Sequence, residues 1–131
     1  MSAAVSDLQL LARVGVGFGL SYVLGFERQL RGSVAGDRTF AVVGTGATAV
    51  TAVAAVNAPQ AVAGVLTGIG FIGAGVVFKG RTGWVHGITT AATLFAVASM
   101  GIVTGYGYLL PAVVIAAVLL AMLELPNLPL L

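Results

Sequence analysis

Five mostly apolar stretches make up most of this 131-residue chain, at residues 8–26, 40–56, 61–78, 87–104 and 109–123. Roughly 20 predominantly apolar helical residues are needed to cross the hydrocarbon core of a bilayer, and each stretch approaches that length. None shows the alternation of apolar and polar residues that is typical of membrane β-barrel strands. The pattern therefore predicts an all-α integral membrane bundle of about five transmembrane helices, in a single transmembrane domain over residues 1–131.

Turn-forming residues mark two of the four breaks between these helices. Asn57-Ala58-Pro59 predicts a tight turn that also places a proline at the start of the next helix. Gly105-Tyr106-Gly107, followed by Pro111, predicts the last turn. The other two breaks carry charged residues, which we expect to lie at the membrane surface or in a protected polar site.

The composition excludes several classes of protein. Only 8% of the residues are charged, and the mean hydropathy is +1.09. A soluble domain carries about 25% charged residues, so this chain lacks the polar surface that water requires. The net charge of +2 is too small for a surface that follows nucleic-acid phosphates. The absence of cysteine excludes disulfides and thiol catalysis, and no nucleophile is paired with a base, so we expect no enzyme activity.

The basic residues predict an orientation. Lys and Arg favour the cytoplasmic side of a membrane. Arg28, Arg31 and Arg38 lie between the first two helices, and Lys79 and Arg81 lie between the third and fourth. With five spans these two connections share a side, which predicts an N-terminus outside and a C-terminus in the cytoplasm.

Arg13 is the exception to this distribution. It precedes Glu27 by 14 residues, or about 21 Å along a helix, which leaves it roughly 9 Å inside a core of about 30 Å. The favoured interpretation is that its long side chain extends back to the surface towards Asp7. The alternative is a buried functional charge that faces the bundle. Because Arg13 interrupts the first apolar run and no basic segment precedes it, no cleaved signal peptide is expected.

A charged strip occupies residues 25–39, GFERQLRGSVAGDRT. It contains half of the ten charged residues of the chain, namely Glu27, Arg28, Arg31, Asp37 and Arg38. Glu27 and Asp37, with Thr39, could hold a hydrated Mg²⁺, which often needs only one or two carboxylates. The same carboxylates could instead pair with Arg28 and Arg38. Ion pairing is favoured, because three nearby arginines oppose a divalent cation.

The 19 glycines are concentrated inside the predicted helices. Small residues allow helix backbones to approach closely in a membrane, so glycine-rich helix packing is the favoured interpretation. The residues predicted to pack helices together are Gly68, Gly70, Gly73, Gly75, Thr89 and Thr90. The alternative is that the Gly68–Gly75 helix lines a transport site. Its literal GxGxxG match has no surrounding βαβ unit and does not indicate a dinucleotide site.

The third connection also contains Trp84 and His86. Trp84 fits an aromatic anchor at the membrane interface. His86 has no second metal ligand nearby in the sequence and is not assigned as a ligand.

Three sequence blocks, taken together, resemble the membrane domain of the MgtC/SapB family. They are the strip at residues 25–39, GIGFIGAGVVFK at 68–79, and HGITTAATLFAVASMGIVTGYG at 86–107. The resemblance implies a bacterial inner-membrane protein with five spans, linked to magnesium limitation and, in pathogens, to survival inside host cells. For some members it implies restraint of the F-type ATP synthase.

Two departures from the family pattern bear on function. Asp37 stands where the family usually has leucine, and we expect a single transmembrane domain without the soluble C-terminal domain of founding members. The first hypothesis is a protein that acts by contact with a membrane partner or with itself, as a homo-oligomer such as a dimer. The second is a small transporter or channel for Mg²⁺ or another ion. A fluoride-channel-like protein is a more distant rival, since its dual topology conflicts with the one-sided basic residues.

Overall fold

The structure is a computed structural model that describes residues 4–79, 83 and 85–127, with backbone only for Phe78 and Lys79. Its helices are α1 Asp7–Leu30, α2 Asp37–Ala54, α3 Pro59–Val76, α4 Ile88–Gly105 and α5 Leu109–Glu124, followed by a 3₁₀ turn at Leu125–Asn127. Two short strands, β1 Phe78–Lys79 and β2 Val85–His86, pair antiparallel between α3 and α4. The predicted all-α bundle of five helices is confirmed.

The helix ends follow from local chemistry. Ser6 caps α1 and exchanges hydrogen bonds with Gln9 in a capping box. Pro59 opens α3, where its missing N–H is not needed. Gly87 precedes α4 with a φ of 88° and lies against the Val76 carbonyl, where a side chain would not fit. The turns at Asn57–Pro59 and at Gly105–Gly107 therefore lie where the sequence predicts them.

Among the described residues, four helical segments are long and apolar enough to cross a membrane: Asp7–Leu30, Pro59–Val76, Ile88–Gly105 and Leu109–Asn127. The remaining helix, α2, is of similar length but begins with Asp37 and Arg38 and carries several threonines. It packs against α1 and α4, and Thr48 and Thr51 are fully buried there. The lower hydropathy of α2 is consistent with its interior place, because its hydroxyls face other helices and not lipid.

Contacts at the two ends show that the helices alternate in direction. At one end, Arg31 after α1 bonds Glu124 of α5, and Ser33 bonds Thr90 at the start of α4. At the other end, Arg13 of α1 bonds the last residue of α4. The connections after α1 and after α3 therefore lie on one side of the bundle, as the five-helix pattern predicts.

The core lies where α1, α2 and α4 meet. Leu24, Phe40, Leu94, Val97 and Met100 are all fully buried there. α3 and α5 flank this core and leave most of their apolar side chains outside it. An exterior this apolar is expected when the surrounding solvent is lipid.

Candidate functional site

The last turn of α1 and the end of α5 form a charge cluster, made of Glu27, Arg28, Arg31 and Glu124. Arg28 donates from Nε and Nη2 to the two carboxylate oxygens of Glu27, at 2.7 and 3.0 Å. Arg31 donates from Nε and Nη2 to Glu124, at 3.2 and 2.6 Å. The Nε atom of Arg31 also lies 3.7 Å from Glu27. Two carboxylates and two guanidinium groups thus alternate across the junction of α1 and α5.

Burial differs across this charge cluster. Glu27 is only 7% exposed, and the side chain of Arg28 is 11% exposed, whereas Arg31 and Glu124 are open to the surroundings. The hydrogen bond to Glu124 raises the pKa of Arg31 above its usual value, and the charges of Glu124 and Glu27 add to this effect. The buried pair has the larger structural role, since an unpaired charge at Glu27 would be costly.

Glu124 is the member of the charge cluster that the sequence analysis missed. It lies 93 residues after Arg31 and stands alone near the end of the last helix. One signal could have found it, because an odd number of alternating spans brings the ends of the first and last helices to the same side. The sequence alone does not show that these two helices are neighbours.

The structure corrects the predicted pairing of Glu27 and Asp37 with Arg28 and Arg38. Arg28 is indeed a partner of Glu27, but Arg31, and not Arg38, is the second. Asp37 accepts a hydrogen bond at 2.7 Å from the backbone N–H of Arg38. Within the part of the chain that the structure describes, the side chain of Arg38 forms no ion pair. The charged strip is therefore divided between the end of α1 and the start of α2.

The start of α2 forms the second part of the strip. Its backbone N–H at Asp37 donates to the Gln29 side chain at 3.1 Å. An open cavity of about 360 Å³ is lined there by Gln29, Gly36, Asp37, Arg38 and Thr39. The candidate Mg²⁺ ligands Asp37 and Thr39 line this cavity. The third candidate, Glu27, does not line it and forms ion pairs with Arg28 and Arg31. Among the residues described, no three His, Cys, Asp or Glu side chains are grouped as a metal site. The magnesium interpretation stays a prediction.

Thr89 and Thr90 begin α4 beside the charge cluster. The hydroxyl of Thr90 lies 2.7 Å from that of Ser33, so it links the α1–α2 connection to α4. The carbonyl of Thr89 accepts a bond from the Thr93 hydroxyl at 2.6 Å, while the Thr89 side chain is exposed. Of the two threonines predicted to pack helices together, Thr90 lies between α4 and the α1–α2 connection. Thr89 faces outward.

The glycines that pack the chain against itself lie on α1, α2 and α4. A Cβ on Gly101 would lie 2.8 Å from the Ala47 side chain, and one on Gly105 would lie 2.7 Å from the Thr48 carbonyl. Gly44 lies directly against the Ser21 side chain, with no room for a Cβ. These close approaches are the arrangement that small residues permit between membrane helices.

The glycines of α3 have different surroundings. A Cβ on Gly68, Gly70 or Gly75 would meet no atom within 4 Å, and one on Gly73 would lie 3.6 Å from the Ala91 side chain. Within a single chain, Gly73 alone of these four approaches another helix, and at an ordinary contact distance. A packing role for the other three stays a prediction that concerns a second protein chain.

Arg13 has a different role from the one favoured by the sequence. Its Nη1 donates to the carbonyl of Gly105 at 2.9 Å, and its guanidinium lies beside Gly107, whose φ is +96°. The side chain therefore extends across to the C-terminus of α4 and not towards Asp7. A positive charge at this helix end satisfies a free carbonyl and offsets the negative end of the helix dipole.

Part of the third connection lies outside the described residues. This applies to Arg81, Trp84 and the side chain of Lys79. His86 belongs to β2 and its side chain is exposed.

Comparison with known proteins gives one consistent result. A model of the MgtC family matches residues 14–128. The protein MgtC of Brucella abortus (strain 2308) is 38% identical over 109 residues, which cover 79% of this chain and 45% of that protein. The protein MgtC of Salmonella typhimurium (strain LT2) is 39% identical over 92 residues, or 67% of this chain and 39% of that protein.

A third relative is an uncharacterized protein of Haemophilus influenzae. It is 31% identical over 121 residues, which cover 81% of this chain and 50% of that protein. The chain thus spans about half, or less, of the length of the curated relatives it matches. No solved structure matches it significantly.

Proposed function

We propose that this chain, which belongs to the MgtC family, acts in the bacterial inner membrane under magnesium limitation or related stress, through contact with a membrane protein partner. The F-type ATP synthase is the partner that the resemblance implies. The family supports the physiological setting, and the outward face of α3 supports action by contact.

The observation that carries this proposal is that α3 contains glycines that its own chain does not use. Gly64, Gly68 and Gly75 lie on one face of α3 with open space around them, and Phe71 on the same side is 84% exposed. Close approach of backbones stabilises helix pairs in lipid, where the hydrophobic effect does not drive association. A glycine row beside an exposed aromatic ring is therefore suited to contact with a helix of another chain, either a partner or a second copy.

A small ion transporter or channel, for Mg²⁺ or another ion, is the second candidate. The buried hydroxyls of Ser21, Thr45 and Thr51 have no hydrogen-bond partner among the described residues. Unpaired oxygens inside a bundle could hold water or an ion, and this favours the second candidate. Against it, Glu27 is bonded to arginines, so a path that ends at this carboxylate would first have to break those ion pairs.

Growth of a bacterium that lacks its own MgtC tests the proposal. We expect the wild-type chain to restore growth in low magnesium, and Gly68→Leu to lose most of this effect because leucine blocks the outer face of α3. Gly15→Leu on α1 is the matched control. Both glycines are exposed and have no neighbour within 4 Å, so both variants should accumulate normally in the membrane.

The outcomes of this experiment separate the two candidates. Equal restoration by the Gly68→Leu and Gly15→Leu variants would exclude contact through α3. Failure of the wild-type chain to restore growth would exclude the physiological setting. Magnesium flux into liposomes containing the purified chain alone, above that of empty liposomes, would support the transporter instead.

The proposed orientation places the charge cluster in the cytoplasm. Because the chain has no cysteine, single cysteines can be labelled without a background signal. In intact cells, an impermeant maleimide should label Tyr106→Cys between α4 and α5. It should label Val34→Cys, between α1 and α2, only after permeabilisation. Both native side chains are exposed, and the reverse labelling pattern would show the opposite orientation.

A further inference from the structure

A cavity of about 320 Å³ opens beside the charge cluster, between α1, the start of α4 and the end of α5. Arg28 and Arg31 form its basic side, and Thr89 and Asn127 add polar atoms. Met122 and Leu123 form an apolar side. The cavity thus joins two guanidinium groups to a strip of hydrocarbon.

Most of the polar groups left free in this cavity are donors, with the amide oxygen of Asn127 as an exception. Each arginine uses Nε and Nη2 for its carboxylate partner, and the Nη1 groups have no partner within the described chain. The Thr89 hydroxyl likewise bonds no described side chain. The carboxylates of Glu27 and Glu124 already accept from arginines, and Asn127 donates its amide N–H to the Leu123 carbonyl at 3.3 Å. A ligand that bonds the free arginine N–H groups must supply acceptor oxygens.

The four charges of the cluster sum to zero, so long-range attraction contributes little to binding. Recognition depends instead on the direction of the N–H and O–H groups. Guanidinium groups present several N–H donors in a fixed plane, and this arrangement suits the oxygens of a phosphate group. Carboxylates pair with arginine equally well, so the choice of phosphate also depends on the location of the cavity.

The location of the cavity indicates where such a phosphate comes from. It lies at the last turn of α5, at the end of a predicted span, which is the depth at which phospholipid headgroups begin. Met122 is 70% exposed and can lie along an acyl chain while the headgroup reaches the arginines. Basic pockets between membrane helices on the cytoplasmic side are known to bind anionic lipid headgroups.

We infer that this cavity is a phosphate-binding site, in which the Nη1 groups of Arg28 and Arg31 and the hydroxyl of Thr89 bind the phosphate of an anionic phospholipid. The inference does not depend on the proposed partner contact, which involves α3 and has a separate test. The ligand class follows from the free donors, and the lipid source follows from the apolar side and the membrane depth.

Binding of phosphatidylglycerol to the full chain in a zwitterionic detergent tests this inference. Native mass spectrometry should show bound phosphatidylglycerol and much less phosphatidylcholine. Arg31→Gln removes a charged donor and should weaken phosphatidylglycerol binding about tenfold or more, while Thr89→Val removes a neutral one and should weaken it about fivefold. Thr89 forms no side-chain bond to the rest of the described chain, so its variant should keep the fold.

Arg38→Gln is the matched control. This variant loses the same charge on the same side of the bundle, but Arg38 lines a different cavity. The Arg38→Gln chain should therefore bind phosphatidylglycerol as the wild type does. Equal weakening by the Arg31→Gln and Arg38→Gln variants, or no effect of Thr89→Val, would overturn the inference. So would equal binding of both lipids by the wild type.

The source of the phosphate is distinguished by a second measurement. Inorganic phosphate at millimolar concentration should leave the thermal stability of the delipidated chain unchanged, because it lacks the acyl chains that contact Met122. If inorganic phosphate stabilises the wild type but not the Thr89→Val chain, the site binds a dissolved phosphate and the lipid source is wrong.

Discussion

Valine in place of Gly105 should prevent the bundle from assembling, because the added side chain would enter the backbone of α2. A Cβ at this position would lie 2.5 Å from the Thr51 Cβ and 2.7 Å from the Thr48 carbonyl oxygen. A carbonyl within a helix cannot move aside as a flexible side chain can. We expect a loss of about 3 kcal/mol or more in the free energy of unfolding, measured as detergent-resistant folded protein and as thermal stability after purification.

Gly68→Val is the matched control for this prediction. It makes the same chemical change inside a predicted span, so the cost of a β-branched residue in a helix is the same. A Cβ on Gly68 would meet nothing within 4 Å, and the folded yield of a single chain should change little. If both variants lost equal stability, the close contact of α2 with α4 would not be what Gly105 provides.

Glu27→Gln should be the most damaging change among the charged residues. It leaves the guanidinium of Arg28, which is 11% exposed, without its carboxylate. Removal of one partner from a buried ion pair costs about 3 kcal/mol or more, because the remaining charge stays poorly solvated. The expected result is a corresponding loss of unfolding free energy, measured by chemical denaturation in detergent.

A double-mutant cycle shows which arginine is coupled to Glu27. The double change Glu27→Gln with Arg28→Gln should cost clearly less than the sum of the two single changes, since each single change breaks the same pair. Glu27→Gln combined with Arg38→Gln should be additive. Coupling of Glu27 to Arg38 and not to Arg28 would contradict the arrangement of the charge cluster.

Several features of the bundle were predictable from local sequence. The turn at Asn57–Pro59 and the apolar length of each helix depend on residues close in the chain. The concentration of glycine inside the helices also indicated close helix packing, although the glycines named for it, on α3, are not the ones that make the closest approaches. These are short-range signals, and the structure shows the close approaches that they favour.

The candidate site was only partly predictable. A charged strip between two apolar spans indicated polar chemistry, and the arginines explained why a simple cation site was disfavoured. The partners within the strip were not determined, because Arg28, Arg31 and Arg38 are all near Glu27 in sequence. Only the path of the chain after α1 places Arg31 within the charge cluster and Arg38 at the start of α2.

By itself, the sequence determined the membrane class, the five helices and that its two basic connections share one side of the bundle, since hydropathy, turn residues and charge act locally. Only the tertiary structure decided that Glu124 completes the charge cluster, that Arg13 binds the end of α4, and which glycines pack within the chain. Those outcomes depend on which helices are neighbours and on their rotation about their own axes. Both are set by the best joint packing of α1, α2 and α4, a property that no single segment of the sequence carries.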